Sequence, residues 1–284
     1  MQHCSQFVHL EFDCMFNVDL LHHIAKESAN TLESLRILLY PYQMIRSLVV
    51  DDKDQPVVYP RLKKLDFSSS SIHMLESKIK IDKSVSLFPV LRYLKWESEY
   101  AFEDDALFRG NSDTLEYLDI RLGPDLMDVL QRHSVFSTSR HPRLCYIKIC
   151  KGFDTTRSNS DYELCLRHFV NSLSPATQFL SISYSWPYRD VSDAIFANAN
   201  SKHIQVLCLD AIVLTFLEML NLVKRLPNLT RLESIFDGVV PEPEGGIGQG
   251  EAFIDDLYKK HYPLSHRLKH WMAGYSDVGS MLPL

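Results

Sequence analysis

Three groups of residues have types and spacings that could do chemistry. His266 and His270 stand four apart with His261 nearby, a spacing at which one helix face offers two imidazoles to a metal. No carboxylate or thiolate accompanies them at the spacing of a known zinc site, so they read as surface histidines. Gly245, Gly246, Gly248 and Gly250 look like a phosphate loop, but they follow Pro241-Glu-Pro-Glu244 rather than a strand. No Lys-Ser/Thr pair follows them, and an acidic, proline-bearing glycine run reads as a flexible linker over 239–250. Glu103-Asp104-Asp105 could supply an acid/base pair. The run falls where a connection between regular elements is expected, and reads as helix N-terminal charge or solvated loop. The chain lacks the GxSxG, HExxH and DxDxDG signatures. The sequence therefore offers no catalytic residues, no metal ligands and no cofactor site, and reads as a binding protein rather than an enzyme.

The elements that must position any working side chain repeat along the chain. An apolar residue, two others, an apolar residue, one other and an apolar residue recur as Phe7/Leu10/Phe12, Leu32/Leu35/Ile37, Leu62/Leu65/Phe67 and Leu91/Leu94/Trp96. The pattern continues as Leu115/Leu118/Ile120, Leu144/Ile147/Ile149, a degenerate Thr177/Leu180/Ile182, Ile204/Leu207/Leu209 and a weakly ending Leu229/Leu232. Successive copies start 25, 30, 29, 24, 29, 33, 27 and 25 residues apart, near the period of leucine-rich repeats. Proline stands two residues before the first apolar position at Pro60, Pro89, Pro142 and Pro227, where it ends whatever helix precedes the strand.

Helical periodicity fills the gaps, most clearly at Tyr162, Cys165, Leu166, Phe169, Val170 and Leu173. Further helices are expected after Asn17, from Pro124, over 190–199 and over 214–226. Strand, turn and helix at near-constant spacing predict an α/β leucine-rich-repeat solenoid over 1–238, of about nine irregular repeats. It is an open horseshoe with parallel strands on the concave face and helices on the convex face. Residues 251–284, with Phe253, Ile254, Leu257, Trp271 and Met272, read as a C-terminal helical cap.

Period-two alternation then assigns three columns to the concave face. The first is Lys64, Tyr93, Tyr117, Tyr146, Phe179, Val206, Arg231; the second is Asp66, Lys95, Asp119, Lys148, Ser181, Cys208, Glu233; the third is Ser68, Glu97, Arg121, Cys150, Ser183, Asp210. Tyr93, Tyr117, Tyr146 and Phe179 are candidate interface anchors, or rings that stack and stiffen the sheet. Lys95, Asp119 and Lys148 alternate in sign, which favours mutual pairing on neighbouring strands. Arg121 completes the candidate binding residues.

The copies Tyr-Pro-Arg-Leu-Lys-Lys-Leu-Asp-Phe, Phe-Pro-Val-Leu-Arg-Tyr-Leu-Lys-Trp and Thr-Leu-Glu-Tyr-Leu-Asp-Ile resemble the irregular leucine-rich repeats of fungal F-box proteins. That resemblance implies a module that recognises substrates for a ubiquitin ligase. No F-box-like segment precedes Phe7, so a cullin-ligase adaptor is expected as a partner only if an F-box lies outside this chain. A truncated or purely structural repeat fragment is the alternative.

Partners are expected to be proteins. The net charge of −6 argues against general nucleic-acid binding. The apolar stretch Ile204–Val223 contains Asp210 and Glu218, so it reads as a buried strand followed by an amphipathic helix rather than a membrane span. The opening residues show no secretory signal. The six cysteines form no CxxC pair and several lie in apolar segments, which points to the cytoplasm or nucleus.

Overall fold

The computed structural model describes residues 7–13, 23–24, 26–38, 43–51, 53–68, 78–98, 102–133, 141–151, 169–170, 173–183, 195, 199–214, 216–236 and 270–275. Each of the nine recurrent segments forms a strand beginning two residues after its first apolar position. They are β1 (His9–Asp13), β2 (Ser34–Leu38), β3 (Lys64–Ser68), β4 (Tyr93–Glu97), β5 (Tyr117–Leu122), β6 (Tyr146–Lys151), β7 (Phe179–Ser183), β8 (Val206–Leu214) and β9 (Arg231–Phe236). All pair parallel and strictly in sequence order. The result is a sequential, open, all-parallel sheet, consistent with a repeat solenoid. A tenth strand, β10 (His270–Tyr275), lies parallel to β9. Within the segment 251–284 expected as a helical cap, residues 270–275 form this strand. The rest of that segment and the linker 239–250 lie outside the described residues.

The core lies on one side of this sheet. The two later apolar positions of β2 to β7, from Leu35 and Ile37 to Leu180 and Ile182, are buried. The first apolar position is buried as well, from Leu32 through Leu229, because a tight turn folds it beneath the strand. The degenerate Thr177 fits there because its hydroxyl has a partner: Oγ1 donates to the Leu144 carbonyl at 3.0 Å. Phe67 and Trp96 stack inside the core at 4.8 Å between ring centroids.

The turns explain the prolines. In Tyr59-Pro60-Arg61-Leu62 the Leu62 amide donates to the Tyr59 carbonyl, and the same closure recurs in Phe88–Leu91, His141–Leu144, Ser174–Thr177 and Leu226–Leu229. Proline occupies the second residue of each turn, where its fixed φ is favoured. Its place is thus the turn that launches the strand, and Pro175 is a fifth copy hidden by the degenerate threonine. The amide pair that follows, such as Lys63 with Lys64 or Glu116 with Tyr117, donates to one carbonyl of the preceding repeat. This shared acceptor fixes the register of each new strand.

The described helices are α1 (Gln43–Val49), α2 (Pro124–His133) and α3 (Phe216–Arg225), with a 3-10 turn at Ala199–His203; residues 23–24 and 26–27, in the helix expected after Asn17, and 195, in that expected over 190–199, are helical as well. α1 has no counterpart in the expected helices. The long apolar stretch divides into β8 and α3 as expected, and among the described residues no helix is long and apolar enough to cross a membrane. Between β4 and β5, residues 102–114 form turns instead of a helix. Arg109 organises that connection by pairing with Asp104 at 2.6 Å and Asp105 at 3.1 Å. The carboxylate run therefore serves structure. Of the helix expected at 162–173, only Phe169 and Val170 are described as helical, and they are buried with Leu173.

Candidate binding surface

The side of the sheet away from the core carries the three columns in the register expected from the sequence. Lys64↔Tyr93, Tyr93↔Tyr117, Tyr117↔Tyr146 and Tyr146↔Phe179 are opposite one another on neighbouring strands. Parallel in-register pairing brings like positions together, so the rings meet face to face. Their centroids are 4.1, 4.0 and 3.9 Å apart with interplanar angles of 11° to 12°. Lys64 closes one end of the stack, with Nζ 4.9 Å from the Tyr93 centroid, within cation–π range.

The ring faces are therefore consumed by the stack, while the four residues remain partly exposed. The Tyr117 ring lies between those of Tyr93 and Tyr146. Burial, followed by the neighbouring phenols, pushes the Tyr117 phenol well above its usual range. The stack presents ring edges and a row of neutral hydroxyls.

The second column is a row of ion pairs that extends past Asp66 into the first two repeats. Glu11 pairs with Arg36, and Arg36 Nε lies 3.4 Å from Asp66. Lys95 lies 4.0 Å from Asp66 and 3.1 Å from Glu97, and Lys148 lies 3.8 Å from Asp119. Arg36 and Glu11 sit at the same register positions as Asp66, so period two in those repeats is the signal that could have found them.

Asp66 and Asp119 are buried, and neither Oδ1 has a hydrogen-bond partner. Burial raises the Asp119 carboxyl above the ordinary value despite Lys148. Burial pulls Lys95 and Lys148 down, but the carboxylates around them outweigh it and both are raised. Further along, the Cys208 thiol donates to Glu233 at 3.2 Å. Burial and that carboxylate push the thiol up to about 12.

In the third column Arg121 lies opposite Cys150. The Ser183 hydroxyl donates to Cys150 Sγ at 2.8 Å. A β-bulge between Leu209 and Val213 interrupts the pairing of β8 with β9 and leaves Asp210 out of the register with β9. At the β1 end, a cleft of about 420 Å³ opens among His9, Glu11, Ser34, Arg36, Lys64 and Asp66. Among the described residues no cluster of histidine, cysteine or carboxylate side chains could hold a metal ion. His261 and His266 lie outside the described residues, and His270 begins β10.

No protein-family description matches the chain, and no curated protein matches it.

Proposed function

We propose that this chain is a protein-interaction module of the leucine-rich-repeat type, in which the polar side of the sheet forms the concave surface that holds a polypeptide partner. The observation that supports the reading most is the convergence of two unlike columns on one face. A row of stacked tyrosines runs beside a row of charged side chains across neighbouring strands. Tyrosine and arginine are the side chains that protein interfaces favour as anchors. Recognition of ubiquitination substrates is the specific form suggested by the resemblance to F-box repeats.

The stack also supports a second reading, a scaffold role, because rings at about 4 Å spacing cover one another's faces. The two readings make different demands on the hydroxyls, which a scaffold does not need. A photo-crosslinking residue placed at Tyr146, and in a second variant at Arg132 on the exposed side of α2, separates them in the native cell. Binding predicts one polypeptide whose crosslinks map to position 146 and not to 132. Crosslinks from 132 alone contradict the proposal, and recovery of that polypeptide without a ligase adaptor removes the ligase part.

A further inference from the structure

We infer that the cleft at the β1 end takes one neutral aromatic side chain of the partner polypeptide, seated over Ser34 as a further ring of the tyrosine row. This rests on the reading of the polar face as the binding surface and names what that face grips. The first column does not end at Tyr93. Its register runs on through Lys64 and Ser34 to His9. From β4 to β7 every place in the column is filled by a ring, 3.9 to 4.1 Å from the next. At Ser34 the side chain is only a short hydroxymethyl group. Lys64 does not fill the space above it, because its Nζ lies over the Tyr93 ring, 4.9 Å from the centroid, and Tyr93 and Ser34 flank Lys64 on opposite sides. The cleft of about 420 Å³ is the result, with His9 and Lys64 on either side of Ser34.

The width of this gap selects a flat group. His9 and Lys64 stand two strand spacings apart, about 9.6 Å. One inserted ring leaves two intervals of about 4.8 Å, whereas two rings would leave intervals of about 3.2 Å, closer than van der Waals contact. The slot is therefore one ring thick, and a branched aliphatic side chain does not match it.

Charge selects a neutral one. The carboxylates Glu11 and Asp66 and the cations Arg36 and Lys64 line the cleft in equal number. Glu11 pairs with Arg36, and Arg36 Nε lies 3.4 Å from Asp66. An ionic group gains no net attraction from such a lining. Tyrosine or tryptophan offers a large flat surface together with a polar edge for these side chains. A nucleobase is as flat but brings phosphates with it, and among the described residues no surplus of cations lines the cleft to receive them.

The test is saturation-transfer NMR of the full chain with N-acetyltyrosinamide. N-acetylleucinamide, N-acetylargininamide and adenosine are the comparators. Transfer is expected to be strongest to the ring protons of the tyrosinamide. Ser34→Phe builds a ring into the slot. It is expected to abolish transfer to the tyrosinamide while leaving the chemical-denaturation midpoint unchanged or raised, because the new ring extends the stack; a misfolded variant would lower the midpoint. The polypeptide crosslinked at position 146 is expected to bind Ser34→Phe about tenfold more weakly than the wild type. No transfer to the tyrosinamide, equal transfer to the leucinamide, transfer that survives Ser34→Phe, a lowered midpoint or an unchanged affinity for that polypeptide overturns the inference. Stronger transfer to the argininamide or to adenosine overturns it in favour of a cationic side chain or a nucleobase. A polypeptide that crosslinks through position 146 while the tyrosinamide fails defeats this inference alone; one that crosslinks only through 132 defeats the binding face itself.

Discussion

Asp119 is the residue where the chemistry of the face is most open to measurement. It faces Lys148, Lys95, Glu97 and Asp66, and burial outweighs the lysines in raising its carboxyl. A carboxyl raised in the folded state binds its proton more tightly there than in the unfolded chain. Its contribution to stability is therefore full below the ordinary value of 3.8 and is lost as pH rises through the folded value. Denaturation across acidic pH should show Asp119→Asn gaining on the wild type as pH rises; a gain as pH falls would contradict the assignment. Removing Lys148 with Lys148→Met should raise the Asp119 carboxyl further, which carboxyl-selective NMR titration can follow.

Cys208 makes a second residue-scale prediction. Its thiol, raised to about 12, donates to Glu233, so iodoacetamide near pH 8 should label it only after denaturation. Rapid labelling of the native chain, read by mass spectrometry, would rule out that environment. For the tyrosine row, Tyr117→Phe keeps the rings and removes the central hydroxyl, and should cost less than about 1 kcal/mol. Tyr117→Ala breaks two stacking contacts and should cost about 2–3 kcal/mol. Both are measurable by chemical denaturation, and equal costs would mean the stack contributes nothing.

At the scale of elements, the connections carry features that apolar periodicity does not report. The strands and their registers were legible because period-two alternation assigns a face and parallel in-register pairing aligns equivalent positions. The turn role of proline was not legible, since a residue that stops a helix and one that opens a turn look alike until the closing hydrogen bond is placed. The connection at 102–114 has the charge of a helix N-terminus or a loop, and the grip of Arg109 on Asp104 and Asp105 depends on a turn geometry that spacing does not encode. Within that connection Gly110 has a φ of 81°. A Cβ there would meet Ser86 Oγ at 2.0 Å, and Ser86 Oγ already donates to the Arg109 carbonyl at 2.8 Å. Gly110→Ala should therefore destabilise the protein by about 1–3 kcal/mol, seen as a lower denaturation midpoint. An unchanged midpoint would mean the turn relaxes freely.

For the whole molecule, sequential pairing means that each repeat packs chiefly on its neighbours, and equivalent side chains line up across the sheet. The membership of the columns was legible in the sequence. Their depth was not, because it follows from side-chain length: aspartate ends close to the sheet while lysine and arginine reach over it. That difference sinks Asp66 and Asp119 beneath the longer side chains that pair with them. The most direct test is the affinity, by calorimetry, of the polypeptide crosslinked at position 146 for chains carrying Lys64→Glu or Arg132→Glu, each confirmed as folded by circular dichroism. Recognition through the polar face requires a loss of about tenfold for Lys64→Glu and no change for Arg132→Glu. The reverse pattern would place the partner elsewhere and refute that role for the face.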